Sequence, residues 1–269
     1  MVQAVMKIMG ILNVTPDSFS DGGQFAHFEA AIAQADKLIA EGADILDVGG
    51  ESTRPFAEPV GTEEELQRVI PVIESVRQKY SIPISIDTTK AAVASAALQA
   101  GADIINDVSA LRKDPEMIKV VQQTSVPLII MHMQGKPTDM QVKPTYGDVV
   151  TEIILFLKER IDWITGKGVD RSRLIIDPGI GFGKTLQHNL SILKHLEKFS
   201  TLDLPLLLGH SRKRFLGAIT GIETEEERDL ASAVAAALCA SKNVAMVRVH
   251  NVAATRQALL IAEAIQSAV

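Results

Sequence analysis

Cysteine is almost absent: Cys239 stands alone in 269 residues, which excludes an internal disulfide framework and any metal site built from several thiolates. It lies in the Ala-rich run 230–240, where a thiol reads as a small buried hydrophobe. No Gly-, Ser- or Pro-rich linker interrupts the chain, so residues 1–269 are expected to form one domain. No apolar run approaches the ~18 residues needed to span a bilayer. The first ten residues carry only Lys7 and no apolar block with a cleavage site, so a cytoplasmic protein without a membrane partner is expected. A basic stripe is missing too. With 27 Lys and Arg against 33 Asp and Glu, nothing displaces counterions from a polyanion, and no nucleic-acid partner is expected. An anionic substrate therefore needs a few local cations working against an unfavourable global field. Neither HExxH nor a Cys/His ligand spacing occurs, which argues against a dedicated zinc or iron site.

What is present is an alternation. Runs rich in Val, Ile and Leu recur at 6–13, 44–49, 83–87, 103–107, 127–132, 173–177, 205–209 and 244–250. They are apolar throughout, as strands covered on both faces are. A helical pattern follows each. In the first, Phe28, Ala31, Ile32, Ala35, Leu38 and Ile39 form one face, and Gly42 supplies a left-handed terminus. In the second, Thr62 and Glu65 form a capping box, and Pro71 is expected to break or restart the helix. Asp114-Pro115-Glu116 reads as an N-cap, a proline at the first helical position and an acid near the positive end. Later helices are expected at 148–165, 187–199, 225–241 and 253–267. Eight such units predict an α/β fold, a closed (β/α)₈ TIM barrel, with its site at the carboxyl ends of the strands. An open doubly wound sheet would place a glycine fingerprint after the first strand, and none is there.

Polar residues gather at those strand ends. Asn13 ends the first strand; Glu51, Ser52, Thr53 and Arg54 follow the second. Asp87 ends the third, Asn106 and Asp107 the fourth, Met131 and His132 the fifth, Asp177 the sixth. Ser211, Arg212 and Lys213 follow the seventh, and Arg248 and His250 end the eighth. The run Gly179-Ile-Gly-Phe-Gly-Lys184-Thr185 fails as a phosphate loop, because Pro178 stands where a glycine is needed; it reads as a turn that lets a ligand approach the backbone. His27, His188 and His195 fall in helical stretches and read as structural. Two groups of rim residues differ in chemistry. Asp87, Asn106 and Asp177 offer acceptors to a flat, nitrogen-rich ring, although Asp87 reads equally well as a helix cap. Lys213, Arg248, His250 and Asn13, with Arg54 nearby, resemble the phosphate site common in this fold.

At these residues the chain resembles the dihydropteroate synthase family. The resemblance rests on the stretch from Gly10 to Gly23 (GILNVTPDSFSDGG), Asp47-Val-Gly-Gly-Glu-Ser-Thr-Arg-Pro55, Ile86-Asp-Thr-Thr-Lys90 and Gly101-Ala-Asp-Ile-Ile-Asn-Asp-Val108. It continues through Met131-His-Met-Gln-Gly135, Asp177-Pro-Gly-Ile-Gly-Phe-Gly-Lys184, Ser211-Arg-Lys213 and Arg248-Val-His250. It implies condensation of a dihydropterin methyl diphosphate with 4-aminobenzoate, by loss of diphosphate followed by amine attack. It implies magnesium as cofactor with Asn13 as protein ligand, and a cytoplasmic homodimer of the sulfonamide-target type, joined through outer helices such as 230–239. Asp87, Asn106, Met131, Asp177 and Lys213 would hold the pterin; Thr53, Arg248 and His250 the diphosphate. Phe19, Arg54, Pro55, Phe182 and Ser211 would meet the aminobenzoate, and Asp87, Lys213, Arg248 and His250 would be catalytic. A corrinoid-type pterin-binding methyltransferase module is the alternative, and a barrel of another class, in which Lys213 forms a Schiff base, is a third reading. The chain departs from the family pattern at Phe56, where glycine is usual, and at Asn251, where an acid is usual. His210 and Arg214 are bulkier than expected beside the Ser-Arg-Lys motif.

Overall fold

The computed structural model describes residues 6–15, 24–52, 59–135, 140 and 143–268. Eight parallel strands close into a barrel in sequence order, β1 pairing with both β2 and β8. The strands are β1 (Lys7–Asn13), β2 (Ile45–Gly49), β3 (Ile84–Asp87), β4 (Ile104–Asp107), β5 (Leu128–Met131), β6 (Leu174–Asp177), β7 (Leu206–Leu208) and β8 (Val244–Val249). Each lies within the apolar run that announced it. Helices α1 (Gln24–Ala40), α2 (Thr62–Lys79), α3 (Ala91–Gln99), α4 (Met117–Gln122), α5 (Val149–Gly166), α6 (Leu186–Lys194), α7 (Arg214–Thr220), α8 (Asp229–Cys239) and α9 (Val252–Ser267) surround it.

The two-residue period of a strand sorts its side chains into two cores. One set, including Ile8, Leu12, Val48, Ile86, Ile130 and Ile176, packs outward against the helices. The other fills the barrel: Met9, Ile45, Ile104, Ile129, Ile175, Leu207 and Met246 form a separate plug. Two residues beyond each plug member, on the same inward column, stand Ile11, Asp47, Asn106, Met131, Asp177, Gly209 and Arg248. A further step gives Asn13, Gly49 and His250. The barrel is therefore apolar at its waist and polar at its mouth because each column changes character at one step.

Four helical expectations are corrected. Thr62 lies inside α2, Gly61 is its N-cap, and no side chain caps it. Glu65 is fully buried and binds Lys90 instead, so the capping box does not form. Pro71 sits within an unbroken α2. Both Pro71 and Gln67, whose carbonyl loses its usual donor, face solvent, so water can satisfy the carbonyl. Glu116, not Asp114, precedes α4; Asp114 caps the turn before it through Glu116 N (2.9 Å) and reaches across to Ala91 N of α3 (2.8 Å). Finally, the expected helix at 225–241 is a 3-10 turn (Glu226–Arg228) followed by α8, and the short α7 before it was not foreseen. Gly42 does take the left-handed conformation, with φ +94°.

Candidate active site

The floor of the barrel mouth is a charged triad. The Arg248 guanidinium, carried on β8, donates from Nε to Asp47 Oδ2 (2.5 Å) and from Nη2 to Asp87 Oδ2 (2.7 Å). Asn106 Nδ2 lies 3.4 Å from Asp47 Oδ1, which links β4 to the same group. Asp47 and Asp87 are buried, and the two acids share one cation. Burial pushes the Asp87 carboxyl up to about 7 against the pull of Arg248, with Asp47 adding to the rise. Desolvation works against the Arg248 cation as well, but the two carboxylates outweigh it and hold it above its ordinary range. These bonds join a residue of the expected ring-binding group, Asp87, to one of the expected phosphate-binding group, Arg248. Arg248 points inward from β8 and joins the two acids.

Beside the triad stand Asp177 and Lys213. Asp177 is buried and its carboxyl is raised by desolvation despite the nearby Lys213 cation. Its Oδ1 accepts from Gly179 N (2.7 Å), a local turn that leaves Oδ2 toward Gly209. Lys213 donates to the Ile180 carbonyl and lies 4.3 Å from the Phe182 ring centroid. Desolvation and Arg248 push its ammonium down to about 7, with Asp177 opposing. Gly181 makes this crossing possible, since a Cβ there would lie 2.8 Å from Lys213 Cδ. Val108, Met131, Met133 and Met140 form an apolar, sulfur-rich wall against which Phe182 packs. Ser211 Oγ lies 3.0 Å from His250 Nδ1 and accepts from His250 N (3.1 Å), tying β7 to β8. Asn13, Asp87, Phe182, Ser211, Lys213, Arg248 and His250 line one cleft of about 1440 Å³.

Several rim residues have their side chains engaged in bonds of their own. Asp107 accepts from Ser109 N (2.8 Å) and Leu111 N (3.1 Å), holding a turn in which Ala110 and Leu111 both have positive φ. Glu51 binds Lys90 at 2.5 Å. His132 Nδ1 meets Lys184 Nζ at 3.0 Å, a buried pair in which desolvation takes the histidine down to about 3 and the lysine well below its ordinary range. His188 completes a capping box with Thr185, so it is structural as expected. Phe19, Thr53, Arg54, Pro55 and Phe56 lie outside the described residues. Asp47 was missed as a site residue. Its signal was the inward column itself: Asp47 stands two residues beyond Ile45 and two short of the end of β2, inside an apolar run rather than at its end.

A family model described as "Pterin binding enzyme" matches residues 9–250. The dihydropteroate synthase of Synechocystis sp. is 45% identical over 258 residues, spanning 96% of this chain and 89% of that one. This chain belongs to the dihydropteroate synthase family. Solved members share its fold closely. A Xanthomonas albilineans dihydropteroate synthase with 4-aminobenzoic acid superposes with a TM-score of 0.94 at 48% identity, covering 99% of this chain and 95% of that one. The same organism's dihydropteroate synthase in complex with 7,8-dihydropteroate gives 0.90 at 45% identity, covering 100% and 97%.

Proposed function

We infer that this chain condenses (7,8-dihydropterin-6-yl)methyl diphosphate with 4-aminobenzoate, giving 7,8-dihydropteroate and diphosphate. The observation that carries the reading is Arg248, which touches Asp47 and Asp87 on the floor of the same cleft that holds Lys213, Ser211 and His250. Asp87, an acceptor for a flat, nitrogen-rich ring, thus shares one cavity with donors for departing phosphates, and Asp177 Oδ2 adjoins that cavity beside Gly209. Asp177 Oδ2 and the Asn106 amide oxygen are the acceptors for ring N–H groups, and Met131 offers an apolar face. Asp87 adds a carboxylate beside them, and Lys213 a donor for the ring's carbonyl edge.

Arg248 has two of its three nitrogens on carboxylates, which leaves Nη1 for a phosphate oxygen, with His250 beside it. As the C–O bond of the pterin methylene breaks, the electron pair leaves with diphosphate. A preorganised guanidinium stabilises that growing charge more than it stabilises the ground state. The positive charge left on the methylene spreads into the pterin, near the Asp87 and Asp177 carboxyls. The neutral amine of 4-aminobenzoate, held by Ser211, Phe182 and the expected Phe19, Arg54 and Pro55, forms the C–N bond and releases one proton to solvent. Thr53 is assigned to the diphosphate on the motif alone.

Magnesium fits the donors present. Among the described residues no group of three or more His, Cys, Asp or Glu could hold a metal ion, and Asn13, with one amide oxygen to offer, lines the cleft. A hard cation that keeps most of its waters and takes the rest of its ligands from phosphates needs little more. When bound, it supplies positive charge against the leaving group. A corrinoid-dependent methyltransferase module would have little use for the Arg248 cation and the His250 imidazole placed here. Among the described residues, no helix is long and apolar enough to cross a membrane. The chain is also expected to pair with a second copy. On α8, Leu230 (74% exposed), Val234 and Leu238 (70%) repeat every fourth residue facing outward, and Leu260, Ile261 and Ile265 continue the patch on the adjoining α9.

The test is a coupled assay for released diphosphate with both substrates, with and without magnesium. Diphosphate and dihydropteroate should appear together in equal amounts. Folded protein that releases neither would overturn the reading. Isothermal titration should show magnesium binding strengthened by diphosphate and weakened in Asn13→Ala, which separates the metal assignment from turnover.

A further inference from the structure

Arg212 stands between two residues of the cleft, Ser211 and Lys213, and its φ of +59° is a conformation that non-glycine residues rarely adopt. Three residues of one turn hold it there. Its side chain makes a two-pronged ion pair with Asp229, Nε to Oδ1 at 2.6 Å and Nη2 to Oδ2 at 2.9 Å. Its backbone N–H donates to Ser232 Oγ (2.9 Å), and its carbonyl accepts from Arg228 Nη1 (3.0 Å). The left-handed residue is thus gripped at its amide, its carbonyl and its side chain by the start of α8.

The same carboxylate reaches the neighbouring strand. Asp229 Oδ2 also accepts from Asn251 Nδ2 at 2.9 Å. Asn251 directly follows His250 and caps α9 through Ala254 N (2.9 Å). Burial pushes the Asp229 carboxyl up, and the bonds from Arg212 and Asn251 outweigh it and hold the group below its ordinary range. An acid is therefore present at this junction, but it comes from α8, and the amide at 251 is its donor. Between the two clamped arms lies the Ser211–His250 contact.

We propose that Asp229 is a positioning residue for the condensation. By binding Arg212 and Asn251 together it sets the spacing of Ser211 and Lys213 against His250, and so the alignment of amine, pterin and leaving diphosphate. This inference rests on the function given above. A misplacement of about 1 Å in such a constellation is enough to cost ~100-fold in rate.

The test is Asp229→Asn, read by steady-state kinetics together with calorimetric binding of a pterin lacking the diphosphate. Turnover should fall by about tenfold or more while affinity for that pterin falls by a smaller factor, because Asp87, Asn106 and Asp177 do not depend on the clamp and Lys213 alone among its ring contacts does. The exchange variant D229N/N251D returns a carboxylate to the junction from the other side and should recover most of the turnover. Unchanged turnover in Asp229→Asn, or an exchange variant no faster than the single one, overturns the proposal. Should the single variant lower the melting temperature, the exchange variant decides: regained stability without regained turnover also overturns it. Parent enzyme that releases no diphosphate would instead defeat the reaction itself, whatever the variants do.

Discussion

Two acids sharing one guanidinium is an arrangement with a measurable consequence for Asp87. Burial is the main reason its carboxyl rises to about 7, and Asp47 contributes to the rise while Arg248 opposes it. Removing the Asp47 charge removes one source of repulsion and leaves Arg248 to a single partner. Asp47→Asn should therefore lower the Asp87 pKa. If the pterin is bound by ionised Asp87, the acid limb of the binding profile lies near 7 in the parent and moves downward in the variant. Calorimetric titration of a pterin between pH 5 and 8 checks this; a limb that stays in place or moves up contradicts the wiring. At this scale the sequence was partly legible. Asp87, Asn106, Met131, Asp177, Lys213 and Arg248 stood out as polar or soft residues ending apolar runs, and all of them come to the barrel mouth. Which acids Arg248 would face was not legible, since the partners are separated by 201 and 161 positions in the chain and nothing local connects them. Asp229 was hidden for the same reason, inside a run that read as ordinary helix.

Elements were legible where periodicity decides them and illegible where a single residue does. Strands on two-sided apolar runs appear within a residue or two of their expected limits, because burial on both faces leaves no other solution. Local rules lost to tertiary demands in α2. Glu65 abandoned its capping role because Lys90 gives it a buried partner, and Pro71 remained in an unbroken helix on the solvent side. That tolerance is not without penalty, since a proline in a helix interior costs about 3 kcal/mol relative to alanine, offset in part by the stiffness it lends the unfolded chain. Pro71→Ala restores an N–H opposite the Gln67 carbonyl and should stabilise the fold by about 1–2 kcal/mol. In a domain of this size that raises the melting temperature by roughly 2–8 °C. Calorimetric melting of the two proteins checks it, and a variant that melts lower would mean the helix is strained to suit the proline. By contrast, Gly179 admits no side chain, since a Cβ there would lie 1.9 Å from the His132 carbonyl oxygen.

The molecule as a whole separates its two kinds of surface. The polar mouth faces one end of the barrel axis, while the apolar patch of α8 and α9 lies on its flank. Contiguous apolar surface of that kind is unusual on a monomer. Charges placed on it, as in L230E/L238E, should convert a dimer to monomers in sedimentation velocity while each barrel keeps its circular dichroism. A parent protein that sediments as a monomer across micromolar concentrations would remove the patch from consideration as a self-association surface. Fold class was the most legible property of all, because eight repeated units leave few ways to close. The flank was the least, since an Ala- and Leu-rich helix looks the same whether its second face meets core or water.

The inward columns of β2 and β7 end in Gly49 and Gly209, positions where the strand pattern continues but no side chain follows. A methyl group at 209 would find only Asp177 Oδ2 at 3.5 Å, an ordinary contact, so the protein itself has no need of the vacancy. Under the proposed function, that space in the cleft is left to the pterin. Gly209→Ala should then melt within about 2 °C of the parent yet bind a pterin roughly tenfold or more weakly, the scale of one misplaced methyl in a fitted pocket. Stability and fit, usually entangled in a core, come apart at this one position.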